Sequence, residues 1–391
     1  MTTNHSRGPL DGIRVLDFTN MMSGPTSTRF LADMGAEVIK IEPPTGDHTR
    51  SRHPLRDGYS VHFGHLNAGK KSVALNLKTA AGRTAALELS KHADVVVENW
   101  RPGVAARLGL DYATVSKAKP DIVYCSISGF GQQGPLAQRT SFASIVEAAS
   151  GYALAQKELD GVDRPQVSGM YVGDSLTGLW AFAAIQTALV QRERTGRGQL
   201  IDVAMLDSML FLLLYECHMA QFGPSIRRAH VPLRTADGFM VVAPVGERNF
   251  HDLARAVGHP EWIEDPRFKS VEGRNVNWFE LLRVTEEWTS KRSTAECEKI
   301  LQASHVPCSR YNSFAEIMQE PHLAQRGSFA KVKDGAGEYL VTNVAFQMPG
   351  SATHARPRVP DFNADAVEVL KNILGYSPEQ IKACAVEYDP H

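Results

Sequence analysis

Apolar residues in roughly the first 200 positions fall into short continuous runs separated by stretches of helical spacing. Residues 13–18 (IRVLDF), 37–42 (EVIKIE), 72–77 (SVALNL), 94–99 (DVVVEN) and 121–128 (DIVYCSIS) are such runs. Each is too short for a stable helix and predicts a strand. Between the first two, TSTRFLADMGA has helical spacing and stops at Gly35. AAGRTAALELSKHA follows the third with helical composition. This alternation predicts an α/β fold, with a parallel sheet covered by helices on both faces. Ligands of such sheets bind at loops beyond the carboxyl ends of the strands.

The pattern changes further along. Residues 174–194 predict one long helix, stopped by TGRGQ. IDVAML predicts another strand, and DSMLFLLLYECHMAQF (207–222) a buried helix. FGPSIRRAHVPL is broken by Gly223, Pro224 and Pro232, which places a boundary there. TADGFMVVAPV then predicts an antiparallel hairpin opening a smaller α+β domain, with helices near 250–257, 278–289 and 294–304. After about residue 325, strands at LVTNVAFQM and a final helix at 364–374 close the chain. The predicted organisation is a large domain over 1–222, a small domain over 223–325, and a return to the large domain over 326–391.

Composition narrows the function. The chain has 391 residues, enough for two domains, with 42 basic and 43 acidic side chains and a net charge of −1. That balance excludes a nucleic-acid binder working by bulk charge, so an anionic ligand needs a local basic patch. Five cysteines, none in a CxxC pair, predict neither a disulfide framework nor a zinc ribbon. The expected compartment is a reducing cytoplasm. The start of the chain lacks the apolar stretch of a signal peptide, and the longest apolar run, 209–215, is too short to cross a membrane. His62 and His65 lie three apart without a nearby third ligand, so no metal site is expected.

Two nucleotide-like patterns fail on context. Gly129 to Gly134 spells GxGxxG after a strand, but Pro135 follows and no helix opens there, as dinucleotide binding requires. The loop instead suits close approach of backbone to a ligand. Residues 64–71 (GHLNAGKK) nearly form a P-loop, but Lys71 takes the place of Ser/Thr and a strand follows. Lys70 and Lys71 remain either phosphate contacts or solvated lysines. YVGDSLTG (171–178) puts Asp174 at the start of the long helix. There it is either an N-cap or a carboxylate kept ionised by the helix terminus, with Gly173 leaving room for a bulky ligand. An ionised, open carboxylate attacks acyl carbon. Local pattern leaves the two readings open.

Several segments together resemble the class III CoA-transferases (CaiB/BaiF), the family that includes formyl-CoA transferase. These are PLDGIRVLDFTNMMSGP, LADMGAEVIKIEPPTGDHTR, NAGKKSVALNLK, VENWRPGVAARLGLDY, CSISGFGQQGPLAQR, YVGDSLTG and RTGRGQLIDVAMLDS, spread over nearly the whole chain. The resemblance implies a Rossmann-like large domain, a small domain and an interlocked homodimer. It implies Asp174 as nucleophile and coenzyme A thioesters as substrates, with no permanently bound cofactor. By motif position the CoA contacts are Met22, Ser23, Leu75, Asn76, Leu77, Lys78, Asn99, Trp100, Arg101, Arg107, Ser128, Gly129, Phe130 and Gly131.

This chain departs from formyl-CoA transferase at three places. Pro43 replaces an Arg after the IKIE strand, Met22 replaces a Gln, and the glycine-only loop has no counterpart. Lys70, Lys71 or Arg50 are the candidate substitutes for the lost phosphate contact. Oxalate and formyl-CoA therefore fit poorly, and succinyl-CoA with a small dicarboxylate is the expected pair. Arg227, Arg228, Arg234 and Arg248 are candidates for a distal carboxylate, and His230 for a structural role. The rival readings are an α-methylacyl-CoA racemase and a non-catalytic CoA-binding protein. Racemases carry a His-Asp pair after the GPLAQR stretch, where this chain has Phe142 and Ala143, which carry no protons.

Overall fold

The computed structural model describes residues 7–225, 229–384 and 386. Contacts divide the chain into two units: one formed up to residue 214 and again from 324, the other formed by 215–323.

The first unit is built on six strands: β1 (Arg14–Asp17), β2 (Glu37–Glu42), β3 (Lys71–Ala74), β4 (Val95–Glu98), β5 (Val123–Ser128) and β6 (Gln199–Ala204). All pairings are parallel and the order is β3-β2-β1-β4-β5-β6. The order reverses between β1 and β4, the place where doubly wound sheets open a crevice for a ligand.

Successive side chains of a strand point to opposite faces, and here both faces are apolar. Val15, Val38, Val95, Val97, Val123 and Cys125 face one layer, where they pack on Leu31, Ala181, Ile185 and Ala188. Those four come from α1 (Ser23–Asp33) and from the long helix Val172–Thr195. Leu16, Ile39, Val73, Val96 and Tyr124 face the other layer, against Ala85, Leu89, Val369 and Leu370. The continuous apolar runs in the sequence therefore reflect burial on two sides.

Three expectations need correction. The strand expected to run to residue 77 ends at Ala74. Asn76 turns the chain away, taking Lys78 N–H on its side chain (3.0 Å) and Thr79 N–H on its carbonyl (3.0 Å). The helix expected over 207–222 is two helices, Met205–Leu210 and Leu214–Phe222, joined by tighter turns at Leu212 and Leu213. The second buries none of its residues, and Phe211 and Phe222 are 68% and 79% exposed. The run 209–215 at the centre of this segment is apolar all round and has no stripe, so periodicity could not say which side was covered. Finally, Ala366–Leu374 does not close the chain. After Gly375 a further helix, Pro378–Cys384, packs Cys384 into the same core.

In the second unit Leu233–Arg234 and Phe239–Val242 pair antiparallel, with Cys308–Arg310 as a third strand. Helices Glu247–Ala256, Trp278–Thr289 and Thr294–Ala303 stand near their expected places. They share a separate core around Phe250, Trp278, Leu281 and Leu301. Arg234 lies 5.3 Å from the Phe239 ring, Arg248 pairs with Asp252 (3.6 Å), and His230 meets Trp278 edge-on. Arg227 and Arg228 lie outside the described residues.

All five cysteines are free. Among the described residues no helix is long and apolar enough to cross a membrane, and no group of three metal-binding side chains occurs.

Candidate active site

The loops after β1 and β4 are clasped at the reversal of strand order. Asn20 N–H donates to Asn99 Oδ1 (2.9 Å), and Asn99 Nδ2 donates back to Asn20 O (2.8 Å). Phe18 and Trp100, from the same two loops, pack with tilted rings whose centroids are 5.1 Å apart.

The predicted contact residues divide on either side of it. Met22, Ser23, Asn99, Ser128 and Gly129 line a cavity of about 410 Å³ together with Asp174. Leu75, Asn76, Leu77, Lys78 and Trp100 line a second cavity of about 510 Å³ with Asn20 and Pro43. Phe130 instead packs on Val146, Met205 and Met209, and Gly131 forms a left-handed turn (φ 84°). Arg101 and Arg107 are exposed.

Asp174 is the third residue of the helix Val172–Thr195, so it is not the N-cap. Tyr171 is the cap, in the left-handed conformation (φ 50°, ψ 42°), and its side chain makes no capping bond. Ser23, the first residue of α1, lines the same cavity as Asp174, and its backbone N–H and hydroxyl favour the charged Asp174 carboxylate. Two helix N-termini thus converge on one carboxylate, an arrangement that favours its charge. Gly178, one turn after Asp174, lets the helices meet. A Cβ there would lie 2.8 Å from Ser23 O. A Cβ on Gly173 would meet Met205 Sδ at 3.3 Å, and Met205 is itself part of the cavity wall, so glycine keeps the helix start close to that wall. Gly129 is required for another close approach, since its Cβ would stand 2.0 Å from Ser141 Oγ.

The electrostatics differ from the sequence expectation. Burial raises the Asp174 carboxyl from 3.8 to about 6, against the bonds from Ser23, with Glu147 adding repulsion and Arg52 working the other way. The carboxylate is ionised at neutral pH, yet more basic than an ordinary aspartate.

The basic residues suggested as phosphate contacts are committed elsewhere. Lys70 is buried and donates to Asp17 (3.0 Å), Thr28 (2.7 Å) and Asn67 (2.8 Å). Burial would raise Asp17, but Lys70, Lys40 and two threonine hydroxyls outweigh it and hold the carboxyl at about 2. Lys71 bridges Glu37 (2.9 Å) and Glu368 (2.8 Å). Arg50 forks onto Glu42 with two bonds of 2.7 Å. Lys78, which lines the second cavity, makes no ion pair among the described residues, and neither do Arg101 and Arg107.

Sequence reasoning missed other walls of the Asp174 cavity: Arg52, Ser144, Glu147 and Ser168. No motif marks them, and they come from three separate segments, Ser144 and Glu147 sharing the helix Ala143–Ala149. Phe142 and Ala143 also line this cavity, so the positions that carry protons in racemases are apolar here.

The chain matches the CoA-transferase family III profile over residues 10–366. It is 35% identical to the acetyl-CoA:oxalate CoA-transferase of Acetobacter aceti, covering 93% of this chain and 96% of that protein. It is 32% identical to the formyl-CoA:oxalate CoA-transferase of Shigella boydii, covering 96% of this chain and 98% of that protein. Among solved structures, a CaiB/BaiF family protein from Brucella suis is 30% identical with a TM-score of 0.81, over 94% of this chain and 100% of that one. A hypothetical protein from Mycobacterium tuberculosis is 28% identical with a TM-score of 0.83, over 92% of this chain and 98% of that one.

Proposed function

This chain belongs to CoA-transferase family III, and on that premise we propose that it moves CoA from an acyl-CoA to a free carboxylic acid with Asp174 as nucleophile. The carrying observation is the Asp174 carboxylate in the cavity wall, ionised at neutral pH but raised to about 6. A more basic carboxylate is a better nucleophile, provided it stays charged.

In the proposed sequence Asp174 attacks the thioester carbonyl, and the carbon–sulfur bond breaks to release CoA thiolate. The product is a mixed anhydride between Asp174 and the donor acyl group. The thiolate then attacks the aspartyl carbonyl, giving an aspartyl-CoA thioester and the free donor acid. The acceptor carboxylate attacks this thioester, expelling thiolate and forming a second anhydride. Attack of thiolate on the acceptor's carbonyl makes the new acyl-CoA and returns Asp174 as carboxylate. Each step exchanges one activated acyl group for another, so no ATP is consumed. Backbone N–H groups of the loop from Gly129 are the proposed oxyanion donors. Lys78, Arg101 and Arg107 are the proposed phosphate contacts.

We propose a small dicarboxylate as acceptor. The two relatives support that class, since both are oxalate CoA-transferases. They also weaken the expectation against oxalate, which belongs beside succinyl-CoA, acetyl-CoA and formyl-CoA in the first substrate screen. We propose an interlocked homodimer as the working form, with the exposed Trp180–Phe211 ring pair (5.3 Å) as a candidate contact between chains; light scattering tests the dimer.

Incubation with acyl-CoA followed by hydroxylamine should mark residue 174, and Asp174→Ala should lose exchange of labelled CoA. Turnover that survives in Asp174→Ala would falsify the assignment.

A further inference from the structure

We propose that Arg52 sets acceptor specificity by receiving the second carboxylate of a dicarboxylic acid whose first carboxylate reacts at Asp174. The inference rests on the nucleophile reading above and deepens it.

Arg52 differs from the neighbouring cations in its partners. Arg50, Lys40, Lys70 and Lys71 all hold acidic partners, at 2.7, 2.8, 3.0 and 2.9 Å. Arg52 has none among the described residues. Its Nη2 donates to the Tyr171 hydroxyl (2.7 Å), and its guanidinium lies 5.2 Å from the centre of that ring. Both partners are neutral. Arg52 is also the one cationic side chain among the described residues lining the Asp174 cavity.

The tether is well fixed. Tyr171 caps the helix that carries Asp174 three residues later, in a backbone conformation rarely adopted by a residue with a β-carbon. His62 meets the Tyr171 ring edge-on at 6.0 Å. Arg52 is thereby linked to the same helix start as the nucleophile. A guanidinium has five N–H donors in a planar fork, and one bond to a phenol leaves an edge for a carboxylate. A monocarboxylate of equal length leaves that edge without its charged partner, which is the situation that discriminates strongly between substrates. Glu147, in the same cavity wall, repels a second carboxylate placed near it. Arg52 therefore dictates where that carboxylate goes.

The test compares succinate with butyrate as acceptors, using acetyl-CoA as donor, in the full-length wild type, Arg52→Met and Arg52→Gln. Hydroxylamine labelling of residue 174 is followed in each protein. The wild type should prefer succinate by kcat/KM. That preference should fall about 10- to 100-fold in both variants. Tyr171→Phe should give a smaller fall, seen in KM more than in kcat. A wild type that does not prefer the dicarboxylate overturns the proposal. So does a preference left intact in either variant. Labelling at residue 174 together with intact preference refutes the role of Arg52 alone. Active wild type without that label refutes the nucleophile reading and this inference with it.

Discussion

Replacing Asp174 by Asn should abolish CoA transfer and make the free enzyme more stable at pH 8. The carboxyl titrates near 3.8 when unfolded and at about 6 in the folded protein, chiefly because burial penalises its charge. That gap corresponds to about 3 kcal/mol acting against the folded state once the group is ionised. Between these two values the folded protein binds more protons than the unfolded chain, so this contribution to stability falls as pH rises from 3.8 to 6. Above 6 the cost is fully present, and below 3.8 it is absent. Asn carries no charge and still accepts the Ser23 backbone bond. Residual hydration through the cavity screens part of the penalty, so the expected gain at pH 8 is about 1–3 kcal/mol. Urea midpoints of wild type and Asp174→Asn, taken from pH 8 to pH 4.5, measure it. The difference should shrink as pH falls through the window. A variant less stable than wild type at pH 8, or a gain that does not vary with pH, would refute the reasoning.

Three further outcomes follow from the same geometry. The kcat/KM of wild type should fall roughly tenfold per unit below pH 6. Glu147→Gln should move that limb to lower pH and Ser23→Ala to higher pH, because Glu147 raises and Ser23 lowers the Asp174 carboxyl; a rate flat down to pH 5 in all three proteins contradicts the assignment. Gly178→Ala forces a methyl to within 2.8 Å of Ser23 O, which should cost about 1–3 kcal/mol in denaturation and lower kcat by shifting Ser23. Lys70→Met strands Asp17, Thr28 and Asn67 in the core and should cost about 3–5 kcal/mol, with part recovered by adding Asp17→Asn.

The strands of the parallel sheet were legible because burial on both faces leaves a purely local signature. Runs such as EVIKIE state their own conformation, and Glu37–Glu42 is the strand observed. The motif around Asp174 was legible for a similar reason, since a helix start and its glycines are contiguous. Segments with no stripe were not. DSMLFLLLYECHMAQF gave no sign that it would break at residues 211–213 or leave Phe222 in solvent.

The chemistry of the site divides along the same line. Sequence alone determined the fold class, the family resemblance and the identity of the candidate nucleophile. Only tertiary structure brought Arg52 and Glu147 into one cavity with Asp174. Only tertiary structure likewise gave Lys70 to Asp17 and Arg50 to Glu42 instead of to a phosphate. The physical reason is that hydrophobic periodicity is written in neighbouring residues. Desolvation and ion pairing depend instead on groups eight positions apart, as Arg50 and Glu42, or 53 apart, as Lys70 and Asp17, and their distances exist only once the chain has folded.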